Sequence, residues 1–457
     1  MANSRKSSFD LTERVADALA PKLPAGSYIL LGLSGGVDSV VLLHLLKQLS
    51  LRYSWRLSAL HVHHGISPQA DVWAAFCADL CALYDVSLQI EHVNIAPLRS
   101  LGIEAAARKL RHAALAQQQV DFIALAHHLD DQAETLLLQL LRGAGVRGAS
   151  AMPAIKHHAN VPTLLRPLLN VPRSILLKYA QHHALQWVED ESNTDDTYPR
   201  NFLRHRILPL LEQRFPAYRK TLMRSAQHFA EATELLDELA QQDAEGVIAN
   251  NRLDIIKLRV LGIVRGKNLL RYFLAAQGAP IPDSTRLQEM LRQLCNARQD
   301  AQVCIDWRGW QIRRYRDHAY TMPALPPPAD FTIMWHGEAE ILLPQSHGVL
   351  HFKHATGQGI SLAKLQVGIA RINSRRGGET IRVDAARPLR NLKNLLQEHE
   401  MLPWQRDLLP LLFCDTDLVC VPGIAIANTY QAQPDEAGVM VIWCVDPMRD
   451  EYATELE

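Results

Sequence analysis

Cysteine is scarce in this sequence, and its spacing does not suit a metal site. Seven cysteines are spread over 457 residues, and no C-x-x-C pair occurs among them. Cys77 and Cys81 are four residues apart, which would place them on one face of a helix, but no nearby pair completes a zinc ligand set. We therefore expect ordinary buried thiols in a reducing cytosol.

Long apolar runs and a net charge are also missing. No stretch approaches the roughly 18 uncharged apolar residues of a membrane span, and residues 1–15 lack the apolar core of a secretory signal. Lys+Arg and Asp+Glu both number 48, so overall charge does not indicate a nucleic-acid partner. At roughly 150 residues per domain, we expect a cytoplasmic protein of about two to four domains.

Residues 34–39 form a glycine-rich turn between two apolar runs. Residues 27–33 predict a buried strand, and the run after the turn predicts a buried helix. Gly35 and Gly36 let the backbone adopt φ > 0 and approach a ligand, while the helix N-terminus supplies N–H groups and partial positive charge. These features indicate a phosphate-binding loop. A turn that is merely capped by Asp38 is the simpler alternative.

The spacing of this turn excludes two common nucleotide motifs. The turn lacks the lysine of G-x-x-x-x-G-K-[ST], and it does not fit G-x-G-x-x-G. The pattern S-G-G-x-D-S resembles the pyrophosphate loop of enzymes that cleave ATP between its α- and β-phosphates, with Ser34 and Ser39 as flanking hydroxyl donors. A carboxylate beside a triphosphate needs a bridging divalent cation, so we predict that Asp38 binds Mg²⁺.

Strand-like and helix-like segments alternate after this turn. Residues 57–62, 87–93 and 121–126 predict further strands with helices between them, and residues 163–167 predict an edge strand. The alternation predicts an α/β fold with a Rossmann-like open parallel sheet. Ligands of such sheets bind at the carboxyl ends of the strands. We therefore expect the glycine-rich turn, the histidines after the second strand and the polar residues 127–134 to meet.

Residues 127–134 are densely polar. His127 precedes a predicted helix whose first turns carry Asp130, Asp131 and Glu134. Helix capping explains part of this set. Two adjacent histidines before two adjacent aspartates fit better with a site that holds a cation and transfers protons.

Arginines on the neighbouring segments leave two interpretations open. Arg108 and Arg111 share a face of a predicted helix, with Glu104 one turn before Arg108. They form either a solvated helix face or a pair of guanidinium groups aimed at a leaving phosphate. Arg142 begins a Gly/Arg loop that is either a connector or a cover for a substrate.

Two local clusters of basic residues stand out in this neutral chain. Residues 200–224 contain seven basic residues against one acidic residue, and residues 371–393 contain seven against two. Each cluster is either a solvated face or a contact surface for a phosphate backbone. We predict three regions, which are 1–215, a helical domain at 216–322 and a small α+β domain at 331–448. A proline-rich linker at 323–330 separates the second region from the third.

These motifs together resemble the tRNA(Ile)-lysidine synthetase family of PP-loop ATP pyrophosphatases. Residues 104–111 match the family's E-x-x-A-R-x-x-R helix, and residues 127–135 match G-H-x-x-D-D-Q-x-E-T, with Ala126 in place of the leading Gly. R-R-G-G-E at 375–379 and P-W-x-R at 403–406 are similar to the family's last domain.

The resemblance implies a ligase that forms a C–N bond. ATP would adenylate C2 of the wobble cytidine in the CAU-anticodon tRNA(Ile), and the ε-amine of free lysine would then displace AMP to give lysidine. This change converts codon recognition from AUG to AUA. Mg²⁺ would accompany ATP, and a homodimer stays open.

The resemblance also implies roles for individual residues. Asp38, His127 and Asp131 would be catalytic, with Asp130, Glu134 and Arg142 as candidates for lysine or base binding. The residues implied for ATP binding are Ser34, Gly35, Gly36, Val37, Asp38, Ser39, His61, Val62, His63, Arg108 and Arg111. The residues implied for tRNA binding are Arg200, Arg204, Arg206, Arg371, Arg375, Arg376, Arg382 and Lys393.

Two other functions stay open at this point. A related tRNA thiolase would adenylate a base and deliver sulfur, which requires catalytic or cluster-binding cysteines near the loop. A non-catalytic RNA- or nucleotide-binding protein would not need Asp38, His127, Asp130 and Asp131 together.

Overall fold

The computed structural model describes residues 2–158, 161–298, 301–325, 327–345 and 347–444. The chain divides into two compact units, Met1–Glu238 and Leu239–Glu457. Within the described ranges, no helix is long and apolar enough to cross a membrane.

The first unit alternates strands and helices. Its strands are β1 (Tyr28–Gly32), β2 (Arg56–His63), β3 (Ser87–His92), β4 (Phe122–Ala124), β5 (Ile155–His158) and β6 (Val161–Leu165). Its helices are α1 (Ala2–Leu19), α2 (Val37–Tyr53), α3 (Ala70–Leu83), α4 (Ile103–Ala116), α5 (Leu129–Leu141), α6 (Val146–Ala149), α7 (Arg173–His182), α8 (Pro199–Phe202), α9 (Leu208–Arg214) and α10 (Tyr218–Ala244). A π-helical turn, Leu203–Ile207, joins α8 to α9.

The six strands form one sheet in the order β3-β2-β1-β4-β6-β5. The first five are parallel, which confirms the predicted α/β fold, and the predicted edge strand is β6. The outermost strand, β5, differs from the prediction because it pairs antiparallel to β6. Only two residues separate β5 from β6 in the sequence, and so short a connection permits an antiparallel pair but no parallel crossover.

The sheet is buried on both faces, and this positions the site. Helix α2 is apolar over most of its circumference and packs with β1 and α7 in the largest core cluster. On the other face, Leu115 of α4 packs against Leu60, Ile123 and Leu164 of three strands. With both faces covered, the carboxyl ends of the strands are the open edge where polar side chains can collect.

The first unit extends beyond the predicted boundary at residue 215. Tyr218 at the start of α10 packs with Ala133 of α5, and Ala226 packs with Leu136 and Ala149. This apolar contact joins the first half of α10 to α5, and the first compact unit ends at Glu238, inside α10.

The second unit contains more strand than its sequence predicts. Residues 248–323 hold β7 (Ile248–Ala249), β8 (Arg252–Asp254), α11 (Ile255–Val260), α12 (Gly262–Ala276), α13 (Ser284–Asn296), β9 (Cys304–Trp307), β10 (Trp310–Tyr315) and β11 (His318–Pro323). The strands form a sheet in the order β7-β8-β11-β10-β9, so this region is not purely helical. Its short strands alternate too briefly to be separated from turns by pattern alone.

The C-terminal part of this unit is mainly antiparallel sheet. Its elements are β12 (Thr332–Met334), β13 (Glu340–Leu342), β14 (Val349–Thr356), β15 (Ile360–Ser361), α14 (Leu362–Leu365), β16 (Ala370–Ser374), β17 (Thr380–Ile381), β18 (Arg390–Asn391), α15 (Leu392–Glu398), α16 (Pro403–Arg406), β19 (Pro410–Cys414), β20 (Asp417–Val421), β21 (Ala425–Ile426) and β22 (Ala437–Cys444). The sheets run β12-β16-β19-β20-β21, β13-β14-β22-β15 and β17-β18, in agreement with the predicted α+β class.

Candidate active site

The predicted phosphate loop is the turn between β1 and α2. Gly36 is the N-cap residue of α2, and no side chain caps the first turn of this helix. The backbone N–H groups there are available to bind an anion. The Ser39 hydroxyl is held inside the loop, where it donates to the Gly36 carbonyl at 2.9 Å. Ser34 is exposed, and its hydroxyl lies 3.2 Å from that of Ser39.

Gly35 has to be glycine for two reasons. Its φ is +85°, in the left-handed region that side chains rarely adopt. A Cβ at this position would also lie 2.9 Å from Val188 Cγ2 and 3.3 Å from Cys77 Sγ. The loop therefore packs tightly from behind, which fixes the direction of its N–H groups.

Asp38, in the first turn of α2, has one carboxylate oxygen that no protein group satisfies. Its Oδ1 is buried and has no hydrogen-bond partner among the described residues, and Arg173 Nε is 3.9 Å away. Its Oδ2 lies 3.5 Å from His128 Nε2. A buried carboxylate oxygen without a partner, directly beside a phosphate loop, fits a hard divalent cation such as Mg²⁺.

His128 was not singled out from the sequence, yet it connects the loop to the polar helix. It is the N-cap residue of α5, where its Nδ1 accepts from Asp131 N at 3.4 Å and Asp131 Oδ2 accepts from His128 N at 3.0 Å. Its Nε2 lies 3.4 Å from Asp131 Oδ2 as well as close to Asp38. The signal in the sequence was the second histidine, which stands three residues before Asp131, the spacing of a capping box.

The surroundings lower the pKa of both His127 and Asp131, which keeps the imidazole neutral and the carboxylate ionised. Burial, which Asp131 opposes and nearby arginines reinforce, lowers the pKa of His127 to about 3. Its Nδ1 is buried and has no hydrogen-bond partner among the described residues. For Asp131, burial raises the pKa, but His128, Arg200 and His127 outweigh it and hold the pKa below its usual value. The site therefore contains a neutral imidazole beside an ionised carboxylate.

Glu134 is placed differently from a substrate-facing carboxylate. It is completely buried. Arg200 Nε and Arg204 Nε donate to its two oxygens, each at 2.7 Å, and Arg204 Nη2 adds a third bond at 2.9 Å. Arg200 Nη2 also donates to Asp131 Oδ1 at 3.0 Å. Arg200 and Arg204 are thus held against two buried carboxylates, those of Glu134 and Asp131.

Asp130 accepts hydrogen bonds from two arginine residues. Its Oδ2 accepts from Arg173 N at 2.9 Å, and its Oδ1 accepts from Arg219 Nε at 2.5 Å. Arg219 also binds both oxygens of Glu212. These side chains line a cavity of about 730 Å³. The cavity lining also includes Glu134, Arg204 and Tyr218 together with Leu129, Leu177, Leu208, Pro172, Pro209 and Pro216.

The histidines at the end of β2, His61 and His63, have side chains held by other protein groups. His61 Nδ1 donates to the Leu33 carbonyl at 2.9 Å, and burial lowers the pKa of this histidine. His63 Nε2 lies 3.0 Å from Asp71 Oδ1, and the His63 ring packs on that of His92. The side chains of His61 and His63 are therefore engaged, which leaves the backbone around Val62 as the predicted contact for adenine.

Arg108 and Arg111 lie at the same edge of the sheet but interact with different charged groups. Burial lowers the pKa of both. Arg108 interacts electrostatically with Arg200 and Asp131, beside His127, whereas Arg111 acts on His61 and His64 at the end of β2. Both side chains are exposed on α4, so the choice between a solvated helix face and a phosphate contact stays a prediction.

Two predicted site residues lie away from this centre. Arg142 is the C-cap residue of α5, eleven residues after Asp131, which corresponds to about 16 Å along the helix axis. Arg206 is exposed and pairs with Asp196 at 2.7 Å. The structure therefore does not bring Arg142 to the residues that we expected it to join.

The second basic cluster is only partly free. Arg371 donates to the Asp415 carbonyl, and Arg375 Nε lies 3.7 Å from Glu379 Oε2. Arg390 pairs with Glu398, and Arg387 pairs with Asp384. The remaining basic side chains are exposed and show no side-chain partner among the described residues; they are Arg376, Arg382 and Lys393.

Comparison with known proteins agrees with this geometry. Residues 9–211 match the PP-loop domain family, 253–320 match the TilS substrate binding domain, and 370–443 match the TilS substrate C-terminal domain. A tRNA(Ile)-lysidine synthase of Nitrosomonas europaea is 46% identical over 448 residues, which are 97% of this chain and 98% of the relative. Relatives with the same name from Aromatoleum aromaticum (39% identical, 94% and 99% covered) and Chromobacterium violaceum (41%, 90% and 94%) also match.

These matches run through both units and include the phosphate loop, the polar helix α5 and the C-terminal sheets. The resemblance inferred from the motifs is confirmed, and the chain belongs to the tRNA(Ile)-lysidine synthase family.

Proposed function

We propose that this protein uses ATP to attach lysine to the wobble cytidine of the CAU-anticodon tRNA(Ile). The C2 carbonyl oxygen of the base attacks the α-phosphorus, and pyrophosphate leaves. The lysine ε-amine then attacks C2, the C2–O bond breaks, and AMP departs with that oxygen while the amine loses a proton. One observation carries the proposal: Asp38, beside the phosphate loop, has a buried oxygen without a hydrogen-bond partner and lies next to His128, which also contacts Asp131.

Each group at the strand ends has a step that suits it. The first turn of α2 binds the phosphates, and Asp38 would hold Mg²⁺, which would supply charge neutralisation for the leaving pyrophosphate. Asp131 stays ionised and faces the positive charge that develops on the activated base. His127 is neutral and its Nδ1 is unpartnered, so this nitrogen is the acceptor for the proton that the amine releases.

The cavity beside Asp130 suits lysine. Glu134 and Arg204 line this cavity and also belong to the group of residues around Asp131. Arg204 donates to Asp131, so a ligand in the cavity is separated from Asp131 by this one side chain. Leucines and prolines of its wall match an aliphatic chain, and Arg173, Arg219 and Lys220 match an α-carboxylate. The buried Tyr218 hydroxyl, which has no hydrogen-bond partner among the described residues, offers a polar contact in the same cavity.

The tRNA is gripped by basic side chains that the protein does not use internally. Arg376, Arg382 and Lys393 meet this condition in the second unit, whereas Arg371 and Arg375 are held by neighbouring groups. Phosphate contacts of this kind position a nucleic acid without reading its sequence.

Lysine incorporation by the Asp38→Asn variant tests the proposal. The purified full chain is incubated with ATP, Mg²⁺, radiolabelled lysine and CAU-anticodon tRNA(Ile), and we expect label in the tRNA only with the unaltered protein. Asp85→Asn is the matched control, since Asp85 is exposed, has a left-handed φ that Asn tolerates and lies at the end of α3. Normal turnover by folded Asp38→Asn would falsify the metal-binding role of Asp38.

Sulfur transfer is less well supported. Burial raises the pKa of Cys77 to about 12 and that of Cys81 to about 11, so both remain protonated thiols at neutral pH. Thiol chemistry requires the thiolate. The same assay with a sulfur donor in place of lysine separates the two functions, and we expect no thiolated product.

A further inference from the structure

Arg166, which directly follows β6, is a buried cation without a counter-charge. Its side chain is 6% exposed, Nη1 donates to the Pro153 carbonyl at 2.8 Å, and Nε has no hydrogen-bond partner among the described residues. Burial and then the charge of Arg108 lower the pKa of Arg166 to about 10. The burial of a cation without a counter-charge costs folding free energy unless a ligand supplies the opposite charge.

The position of Arg166 places it beside the catalytic residues. Strands β1, β4 and β6 are neighbours in the sheet, about 4.8 Å apart, and they lead to the phosphate loop, to His127 and to Arg166. Leu164 packs against α4, and Arg166, two residues later, emerges on that same face. Both His127 and His112 of α4 respond to the charges of Arg166 and Arg108.

We propose that Arg166 and Arg108 together form a binding site for a phosphate group on the side of His127 opposite to the phosphate loop. Arg108 is close enough to act electrostatically on Arg166, and the unpartnered Nε of Arg166 is a ready donor for a phosphate oxygen. The phosphate comes from one of two sources, the pyrophosphate that ATP releases or a phosphodiester of the RNA near the modified base. The proposal deepens the function proposed above, and it depends on that function only for the identity of the anion.

Replacement of the guanidinium distinguishes the two sources. Arg166→Met keeps the length of the side chain and removes the charge, whereas Arg166→Lys keeps the charge. Calorimetry of the full chain measures the binding of inorganic pyrophosphate with Mg²⁺ and, separately, of a CAU anticodon stem-loop RNA. Arg52→Met is the control, because Arg52 is in the last turn of α2, far along the chain from its phosphate-binding end, and pairs with Glu13.

We expect Arg166→Met to weaken one ligand by about tenfold or more, which is the usual loss for a charge-assisted hydrogen bond. Weaker pyrophosphate binding identifies the leaving group as the source. Weaker RNA binding, with a salt slope flattened by about 0.7, identifies a phosphodiester. Arg166→Lys should retain part of the affinity. Without ligand, Arg166→Met should melt no earlier than the unaltered protein, because it removes an uncompensated buried charge.

Two results would overturn the proposal. In the first, Arg166→Met binds both ligands as well as Arg52→Met does. In the second, Arg166→Met and Arg166→Lys lose affinity equally and both melt earlier, which would make the bond to the Pro153 carbonyl a structural support. Lysine incorporation by the unaltered protein tests the proposed function independently of either result.

Discussion

His128 Nε2 lies 3.5 Å from Asp38 Oδ2, so the N-cap of α5 is coupled to the phosphate loop. Burial by itself lowers the pKa of His128, but the hydrogen bond with Asp38 and the charges of Asp131, Asp38 and Asp130 outweigh it and raise the pKa. The His128 imidazole thus caps α5, orients Asp131 and restrains the side chain of Asp38.

His128→Asn should separate these roles. Asparagine is a good N-cap, so the helix keeps its cap while the contact with Asp38 is lost. We expect a fall of about 10- to 100-fold in activity or in apparent Mg²⁺ affinity, as for other residues that orient a metal ligand. His128→Ala should lose about 1 kcal/mol of stability in addition. Unchanged Mg²⁺ dependence of lysine incorporation in His128→Asn would show that Asp38 is oriented by other groups.

Glu134→Gln should act mainly through stability. The substitution leaves two partly buried guanidinium groups, those of Arg200 and Arg204, without their shared carboxylate. Loss of one partner from a buried ion pair costs roughly 3–5 kcal/mol, so chemical denaturation should show a large drop in the free energy of unfolding. Glu231→Gln, at an exposed position in α10, is the control. A Glu134→Gln protein of normal stability that fails only to bind lysine would instead make Glu134 a ligand.

The free basic side chains of the second unit should determine tRNA docking. The triple variant Arg376→Ala, Arg382→Ala and Lys393→Ala removes about three phosphate contacts, so we expect the plot of log Kd for tRNA against log salt to flatten by about two units. The KM values for ATP and lysine should not change. Arg387→Ala, where the side chain already pairs with Asp384, is the control. If kcat falls at saturating tRNA while the salt slope stays the same, the cluster is not a docking surface.

His44 should make the protein less stable in mild acid. Burial and then the charge of His183 lower the pKa of His44 from 6.5 to about 4, and His44 Nδ1 lies 3.0 Å from the Tyr179 hydroxyl. Between these two pH values the unfolded chain binds a proton that the folded chain does not, so stability falls as pH falls from 6.5 to about 4. His44→Gln should lose this part of the pH dependence in denaturant titrations, whereas His228→Gln at an exposed site should retain it. Equal pH profiles for both variants would contradict the assignment.

The sequence determined the phosphate loop, the parallel α/β sheet and the family. S-G-G-x-D-S specifies a strand–turn–helix anion site by local chemistry alone, because Gly35 needs no distant residue to adopt its conformation. Strand–helix alternation likewise predicts that the polar residues after β1, β2 and β4 meet at one edge. These features are local or follow from topology, and the pattern of residues carries them directly.

The tertiary structure decided how each charge is used. In the sequence, Arg200 and Arg204 belong to a basic cluster. In the structure, both donate hydrogen bonds to the buried carboxylate of Glu134. Arg142 is close to the site residues in the sequence, but in the structure it lies at the opposite end of α5 from them. Arg166 has no motif that distinguishes it, and its unpartnered burial appears only when β6 lies beside β4. Pairing and desolvation depend on neighbours that are distant in sequence, so charge pattern alone does not reveal them.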